Sequence, residues 1–77
     1  MVIMILGTGC PKCDQLALNT EEALKQTGIT AEVNKVTGLK DIMKYNVVVT
    51  PALVVDGEVK SSGKVLNVEQ IKKIISG

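Results

Sequence analysis

The two cysteines of the chain are the residues best suited to chemistry. Cys10 and Cys13 stand three positions apart in the stretch Gly9-Cys10-Pro11-Lys12-Cys13, and the 77-residue sequence holds no other cysteine. A pair at this spacing can form a reversible disulfide or bind a soft metal ion. The chain contains no histidine, which excludes a histidine metal site and a histidine general base.

The two thiols are expected to have unequal roles, because they occupy different positions of a predicted helix. Pro11 suits the first helical position, which places Cys10 at the helix start and Cys13 one turn within, facing the core. The dipole at a helix start lowers a thiol pKa from about 8.5 into a range of about 3.5–7.5; the charge of Lys12 acts in the same direction and Asp14 opposes it. We therefore predict that Cys10 attacks a substrate disulfide and that Cys13 resolves the mixed disulfide. Pro11 is expected to stiffen the turn between them.

A second stretch, Thr50-Pro51, is predicted to lie close to the cysteines. It follows the β-branched run Val47-Val48-Val49 and precedes a predicted strand, and the residue before a proline favours extended geometry. Cis bonds make up only about 5–6% of X–Pro bonds, but the position of this proline leads us to predict a cis Thr50–Pro51 bond. The backbone of Thr50 would then pair with an extended substrate segment and hold its disulfide over Cys10, and metal ions would be kept away.

The elements that must position these residues alternate between strands and helices. Apolar runs and alternating patterns predict strands over Val2–Leu6, Ile29–Val36, Ala52–Val55 and Glu58–Ser61. Helical spacing predicts helices over Pro11–Thr27 and Gly38–Tyr45, and a third that follows Asn67. Gly7-Thr8-Gly9 breaks the first strand and forms the loop before Cys10.

Turn and capping signals delimit these elements. Asp56-Gly57 predicts a tight hairpin turn of the primed type, and Asn67 with Gln70 predicts a capping box. Thr37 is predicted to cap the second helix and Asn46 to close it in a left-handed conformation. Each helix is expected to turn one apolar face inward. In the first helix that face consists of Cys13, Leu16, Ala17, Thr20, Ala23 and Leu24. In the second it consists of Leu39, Ile42 and Met43, and in the third of Val68, Ile71, Ile74 and Ile75.

The order of elements predicts the fold class. The chain reads β-α-β-α-β-β-α, in which the first β-α-β unit is expected to be parallel with a right-handed crossover. The hairpin adds an antiparallel pair, which makes an α/β fold with a four-stranded mixed sheet flanked by three helices. Seventy-seven residues are expected to form a single domain, residues 1–77.

Composition and charge exclude several classes of function. Nine basic residues against eight acidic ones leave a net charge of +1 with no basic stripe, so no nucleic-acid partner is expected. No segment approaches the length of a membrane span, and the apolar run at the start is too short for a signal peptide. The protein is expected to be cytoplasmic, where a close cysteine pair is more often catalytic or metal-binding than a structural crosslink.

The motifs together resemble the thioredoxin/glutaredoxin superfamily, and in particular its small redox-active disulfide proteins. The resemblance is carried by Gly7-Thr8-Gly9-Cys10-Pro11-Lys12-Cys13 after a first strand, by Thr50-Pro51-Ala52-Leu53 at a strand entry and by the Asp56-Gly57 hairpin. It implies a thioredoxin-like fold and a thiol–disulfide oxidoreductase that reduces protein disulfides as an electron carrier. It further implies no cofactor beyond the Cys10–Cys13 disulfide, and regeneration by a flavoprotein that resembles thioredoxin reductase.

The sequence departs from the family pattern in two respects. The first strand is wholly apolar, so the buried acid that thioredoxins place below the site is absent. Ser61-Ser62-Gly63 only partly matches the Gly-Gly turn with which glutaredoxins clamp glutathione. Recharging by glutathione or by a thioredoxin-reductase-like protein therefore stays open, as do the physiological substrate, the reduction potential, the direction of electron flow and the oligomeric state.

Two other readings of the cysteine pair remain. It can serve as a soft-metal or metalloid binding module, in the manner of copper(I) carriers that also place two cysteines after a first strand. Such carriers follow the order β-α-β-β-α-β and end on a strand, whereas this chain is predicted to end on a helix. The pair can also belong to a redox-regulated interaction domain with no turnover of its own.

Overall fold

The chain folds into alternating strands and helices, in a computed structural model that describes residues 1–9 and 11–76. The elements follow the predicted order. The strands are β1 (Val2–Leu6), β2 (Glu32–Val36), β3 (Ala52–Val55) and β4 (Glu58–Ser62). The helices are α1 (Pro11–Thr27), α2 (Leu39–Met43) and α3 (Val68–Ser76).

The four strands form one mixed sheet in the order β2-β1-β3-β4. β1 pairs in parallel with β2, so that Ile3 lies opposite Val33, and antiparallel with β3, so that Ile5 lies opposite Leu53. β3 and β4 form the antiparallel hairpin. This arrangement confirms the predicted α/β fold class and places β1 and β3 in the centre of the sheet.

Apolar clusters cover both faces of the sheet. One face carries α1 and α3, and its cluster includes Ile3, Ile5, Leu16, Ala17, Ala23, Leu53, Val55, Leu66, Ile71 and Ile75. The other face carries α2 and the loop that follows it, and its smaller cluster consists of Leu6, Ile42, Val47, Ala52 and Val54. Because successive side chains of a strand point to opposite faces, β3 contributes two residues to each cluster.

The strand β2 begins three residues later than predicted. Its pairing with β1 starts at Glu32, which lies opposite Val2 at the start of β1. Ile29 and Ala31 precede this pairing and nevertheless pack against the cluster on the α1 and α3 face. They are apolar because they contact the core. An alternating pattern cannot tell such residues from residues that are hydrogen-bonded in a strand.

The predicted inward face of α2 is wrong at two of its three residues. The helix has five residues; Leu39 and Met43, at its ends, are 65% and 63% exposed, while Ile42 is buried. Gly38 occupies the N-cap position without a side-chain cap, so the predicted role of Thr37 is not found either. A helix this short completes about one and a half turns, which is too little to present a continuous stripe to the sheet.

The turn and cap signals of the hairpin and of α3 are confirmed. Asp56 and Gly57 both have positive φ, 49° and 82°, as a primed two-residue turn requires. Asn67 and Gln70 form the reciprocal capping box, with distances of 2.8 and 3.0 Å between their side-chain oxygens and the opposite backbone nitrogens. Asn46 adopts the predicted left-handed conformation, with a φ of 58°.

Within the residues that the structure describes, the helices lack the combination of length and apolar character that crossing a membrane requires.

Candidate active site

The first turn of α1 carries the described part of the cysteine motif. Pro11 is the first residue of the helix, as predicted, and both Pro11 and Lys12 are exposed. Cys13 is 5% exposed and begins the buried stripe that continues with Leu16 and Ala17. Cys10 lies outside the described residues, so its role as nucleophile and its tuning by Lys12 stay predictions.

The sulfur of Cys13 lies directly against Gly7, the first residue after β1. A Cβ atom built on Gly7 would overlap Sγ of Cys13 and would lie 3.1 Å from its Cβ. The same Cβ would lie 4.0 Å from Cβ of Thr50. The end of β1, the first turn of α1 and the residue before Pro51 therefore meet at one point.

The antiparallel register of β1 and β3 explains why these distant segments meet. Leu6 at the end of β1 lies opposite Ala52 at the start of β3. Gly7 follows Leu6 and Pro51 precedes Ala52, so the register carries Gly7 and Pro51 to the same end of the paired strands. Sequence reasoning placed Gly7 in the loop before Cys10 and in the motif that carries the family resemblance, but it predicted no contact with Cys13; the position of Gly7 directly after a buried strand was the available signal.

The Thr50–Pro51 peptide bond is cis, which confirms the predicted geometry. Pro51 is buried and its carbonyl accepts a hydrogen bond from the backbone N–H of Gly63, with an N···O distance of 2.9 Å. This bond ties the residue before β3 to the residue after β4. The structure therefore brings Thr50 and Pro51 to the end of the sheet where Cys13 lies, while their role in binding substrate stays a prediction.

An exposed ion pair lies close to the motif in sequence and joins α1 to β2. Nζ of Lys35 lies 3.5 Å from a carboxylate oxygen of Asp14, and both side chains are more than half exposed. Such a pair adds little stability. It does partly offset the negative charge that Asp14 brings to the first turn of α1, and sequence reasoning did not foresee this partner.

No carboxylate is buried among residues 1–9 and 11–76. The one polar or charged side chain that is buried there belongs to Thr20, whose hydroxyl donates to the carbonyl of Leu16 at 2.8 Å. On β1 the half-buried Met4 accepts a hydrogen bond at its sulfur from the Tyr45 hydroxyl, at 3.1 Å. Tyr45 thus packs against the cluster on the α2 face of the sheet.

The chain is similar to known proteins over nearly its whole length. Residues 1–76 match the thioredoxin domain family. The chain is 45% identical over 76 residues to a thioredoxin of Methanothermobacter thermautotrophicus, an alignment that covers 99% of each protein. It is 44% identical over 73 residues to a thioredoxin of Methanocaldococcus jannaschii, covering 95% of this chain and 84% of that relative.

Proposed function

Since the chain belongs to the thioredoxin domain family and is a thiol–disulfide oxidoreductase, we propose that Cys10 and Cys13 are its redox pair and that it reduces disulfide bonds of proteins. The observation that carries the proposal is the position of Cys13. Its sulfur lies at the meeting point of β1, α1 and the Thr50-Pro51 segment. An extended substrate can approach a site at the end of a sheet, where the loops lie.

The proposed reaction proceeds in two exchanges of thiolate and disulfide. The Cys10 thiolate attacks one sulfur of the substrate disulfide and forms a mixed disulfide, while the second substrate sulfur leaves as a thiolate and takes up a proton. The Cys13 thiolate then attacks the Cys10 sulfur, and the first substrate sulfur leaves in the same way. The substrate gains two electrons and two protons, and the pair Cys10–Cys13 loses them as it forms its own disulfide.

The burial of Cys13 supports its assignment as the resolving residue. A thiol that is 5% exposed is poorly accessible to a folded protein substrate, which favours an attack within the protein over the first attack on a substrate disulfide. Pro11 and Lys12 are exposed at the start of α1. We assign to Pro11 the stiffening of this turn, and to the charge of Lys12 a preference for the thiolate form of Cys10.

Thr50 and Pro51 are proposed to bind the substrate segment that carries the disulfide. Thr50 is half-buried and lies beside the point where Gly7 and Cys13 meet, which supports this role. The backbone groups of Thr50 lie before β3 begins and can pair with an extended segment without regard to its side chains. The protein would thereby act on disulfides in several sequence contexts.

The dithiol form must be regenerated by a partner that supplies two electrons. A flavoprotein of the thioredoxin-reductase type is the proposed donor, and glutathione is the alternative. The proposed setting is the cytoplasm, where such donors keep thiols reduced. The proposal requires no bound metal or organic cofactor, because the cysteine pair itself carries the electrons.

Reduction of insulin tests the proposal. The dithiol form should reduce insulin at least about 100-fold faster than Cys10→Ser, because that variant has lost the attacking thiolate. Cys13→Ser should lose turnover as well and should accumulate a mixed disulfide, detectable by mass spectrometry. Leu18→Ser is the matched control, since Leu18 is 60% exposed on α1 and should be replaceable at full activity. A wild type no faster than Cys10→Ser would contradict the proposal.

A further inference from the structure

Gly7 is a buried glycine whose missing side chain makes room for the sulfur of Cys13. A Cβ at this position would come closer to Sγ than 3.0 Å, a separation that real Cβ atoms essentially never show. The backbone of Gly7 does not explain the glycine, because its φ lies outside the left-handed region that Gly9, Gly28, Gly57 and Gly63 occupy. A side chain at position 7 is therefore excluded because the Cys13 sulfur already occupies that space.

The backbone is held in place on both sides of this contact. The backbone N–H of Gly7 donates to the carbonyl of Val36 at an N···O distance of 3.0 Å, which extends the pairing of β1 with β2. Cys13 lies on the buried stripe of α1, and the next members of that stripe, Leu16 and Ala17, are 0% and 3% exposed. Sγ of Cys13 is the atom nearest to a Cβ built on Gly7, and Cβ of Cys13 is the next nearest. The sulfur is therefore the group that an added methyl would displace first.

We infer that Gly7 is a positioning residue that sets the depth and direction of the Cys13 sulfur for its attack on Cys10. The inference rests on the proposed function, which assigns that attack to Cys13. The attack forms the Cys10–Cys13 bond, breaks the bond from Cys10 to the substrate sulfur, and releases that sulfur as a thiolate that takes up a proton. A disulfide tolerates only a narrow geometry, with an S–S length of about 2.05 Å and a Cβ···Cβ distance of about 3.5–4.5 Å. A displaced sulfur therefore slows this step and leaves the first attack unaffected.

A two-phase thiol reaction tests the inference directly. One equivalent of 5,5′-dithiobis(2-nitrobenzoate), added to the dithiol protein, releases one coloured thiolate when Cys10 attacks and a second when Cys13 resolves the mixed disulfide. We expect Gly7→Ala to keep the first phase within about twofold of wild type and to slow the second at least about tenfold. The equilibrium with dithiothreitol should shift toward the dithiol about tenfold, which corresponds to about 30 mV.

Gly38→Ala is the matched control for this experiment. Gly38 also lies outside the left-handed region, with a φ of −72°, and an added Cβ would meet the carboxylate end of Asp41 at 3.2 Å. That side chain is flexible and can move aside, so both phases should match wild type. A second phase of Gly7→Ala within twofold of wild type, or equal slowing of both phases, would overturn the inference.

A double-mutant cycle tests the same contact without reference to activity. In the reduced protein, Gly7→Ala should lower the melting temperature at least about twice as much with Cys13 present as in a Cys13→Ala background, because the second substitution removes the sulfur. Equal losses in both backgrounds would overturn the inference. If Gly7→Ala does not fold, a folded Gly7→Ala/Cys13→Ala protein supports the inference and an unfolded one overturns it.

The two proposals fail in distinguishable ways. A wild type that does not reduce insulin contradicts the proposed function, whether or not positions 7 and 13 are coupled in unfolding. A wild type that reduces insulin, together with a Gly7→Ala variant whose second phase is normal, contradicts the role of Gly7 alone.

Discussion

Cys13 is buried although it follows two exposed residues in the same turn of α1. Helical spacing alone predicts this, because Cys13, Leu16, Ala17 and Thr20 fall on one stripe, and all four are buried. The contact of its sulfur with Gly7 had no such local signal. Six positions separate the two residues in sequence, and only the packing of α1 on the sheet shows that they touch.

Alkylation should distinguish the two thiols. We expect iodoacetamide at neutral pH to modify Cys10, measured in Cys13→Ser, at least about tenfold faster than Cys13, measured in Cys10→Ser, because Cys13 is shielded from solvent. Mass spectrometry over time gives both rates. In denaturant the two rates should become similar, which serves as the control. Equal rates in the native protein would contradict the assigned roles.

At the scale of elements, the capping box of α3 and the primed turn are confirmed predictions with local causes, whereas the inward face of α2 has none. The capping box of α3 and the primed turn between β3 and β4 each depend on two residues at a fixed spacing. Their geometry is determined by neighbouring backbone groups, so the sequence pattern suffices. The inward face of α2 depends instead on how a short helix sits on the sheet, which the spacing of apolar residues does not determine.

The three apolar residues of α2 should therefore differ in their contribution to stability. Ile42→Ala should lower the free energy of unfolding by about 2–4 kcal/mol, since Ile42 is 2% exposed. Leu39→Ala and Met43→Ala are the matched controls and should each change it by less than about 0.5 kcal/mol, because both side chains are mainly exposed. Urea titration measures all three. A loss of several kcal/mol at Leu39 would show that this side chain is part of the core.

At the scale of the whole molecule, apolar packing on both faces of the sheet dominates and charge contributes little. The largest fully buried side chains are mainly aliphatic, and they include Ile3, Ile5, Leu16, Leu53 and Ile71. The composition predicts this, because the chain contains no Phe or Trp. The ion pairs among the described residues have exposed or half-exposed partners. Pairs of this kind are worth about 0–1 kcal/mol each.

Stability should accordingly respond weakly to salt. Between about 0.05 and about 0.5 M sodium chloride, the free energy of unfolding should change by less than about 1 kcal/mol, because salt screens only exposed charges and the net charge is +1. Urea titrations at both concentrations measure the change. Lys35→Gln, which removes the partner of Asp14, should show the same weak dependence. A change of several kcal/mol would indicate that an ion pair contributes more than its exposure suggests.

The sequence alone determined the elements, their order and the position of Cys13 within a helix. Hydrophobic periodicity, caps and turn residues act over a few positions, so most of the signals that define each element lie within its own segment. The motif around the cysteines and Thr50-Pro51 added the family resemblance, which the match to the thioredoxin domain family confirms.

Only the tertiary structure decided which segments meet at the site. The register of β1 on β3 sets Gly7 beside Pro51, and the packing of α1 on the sheet sets Cys13 against Gly7. Contacts of this kind join residues that are distant in sequence, and they depend on how whole elements pack together. No local pattern shows such contacts. This is why the sequence predicts Gly7 to be a loop residue, whereas in the fold it is a neighbour of the Cys13 sulfur.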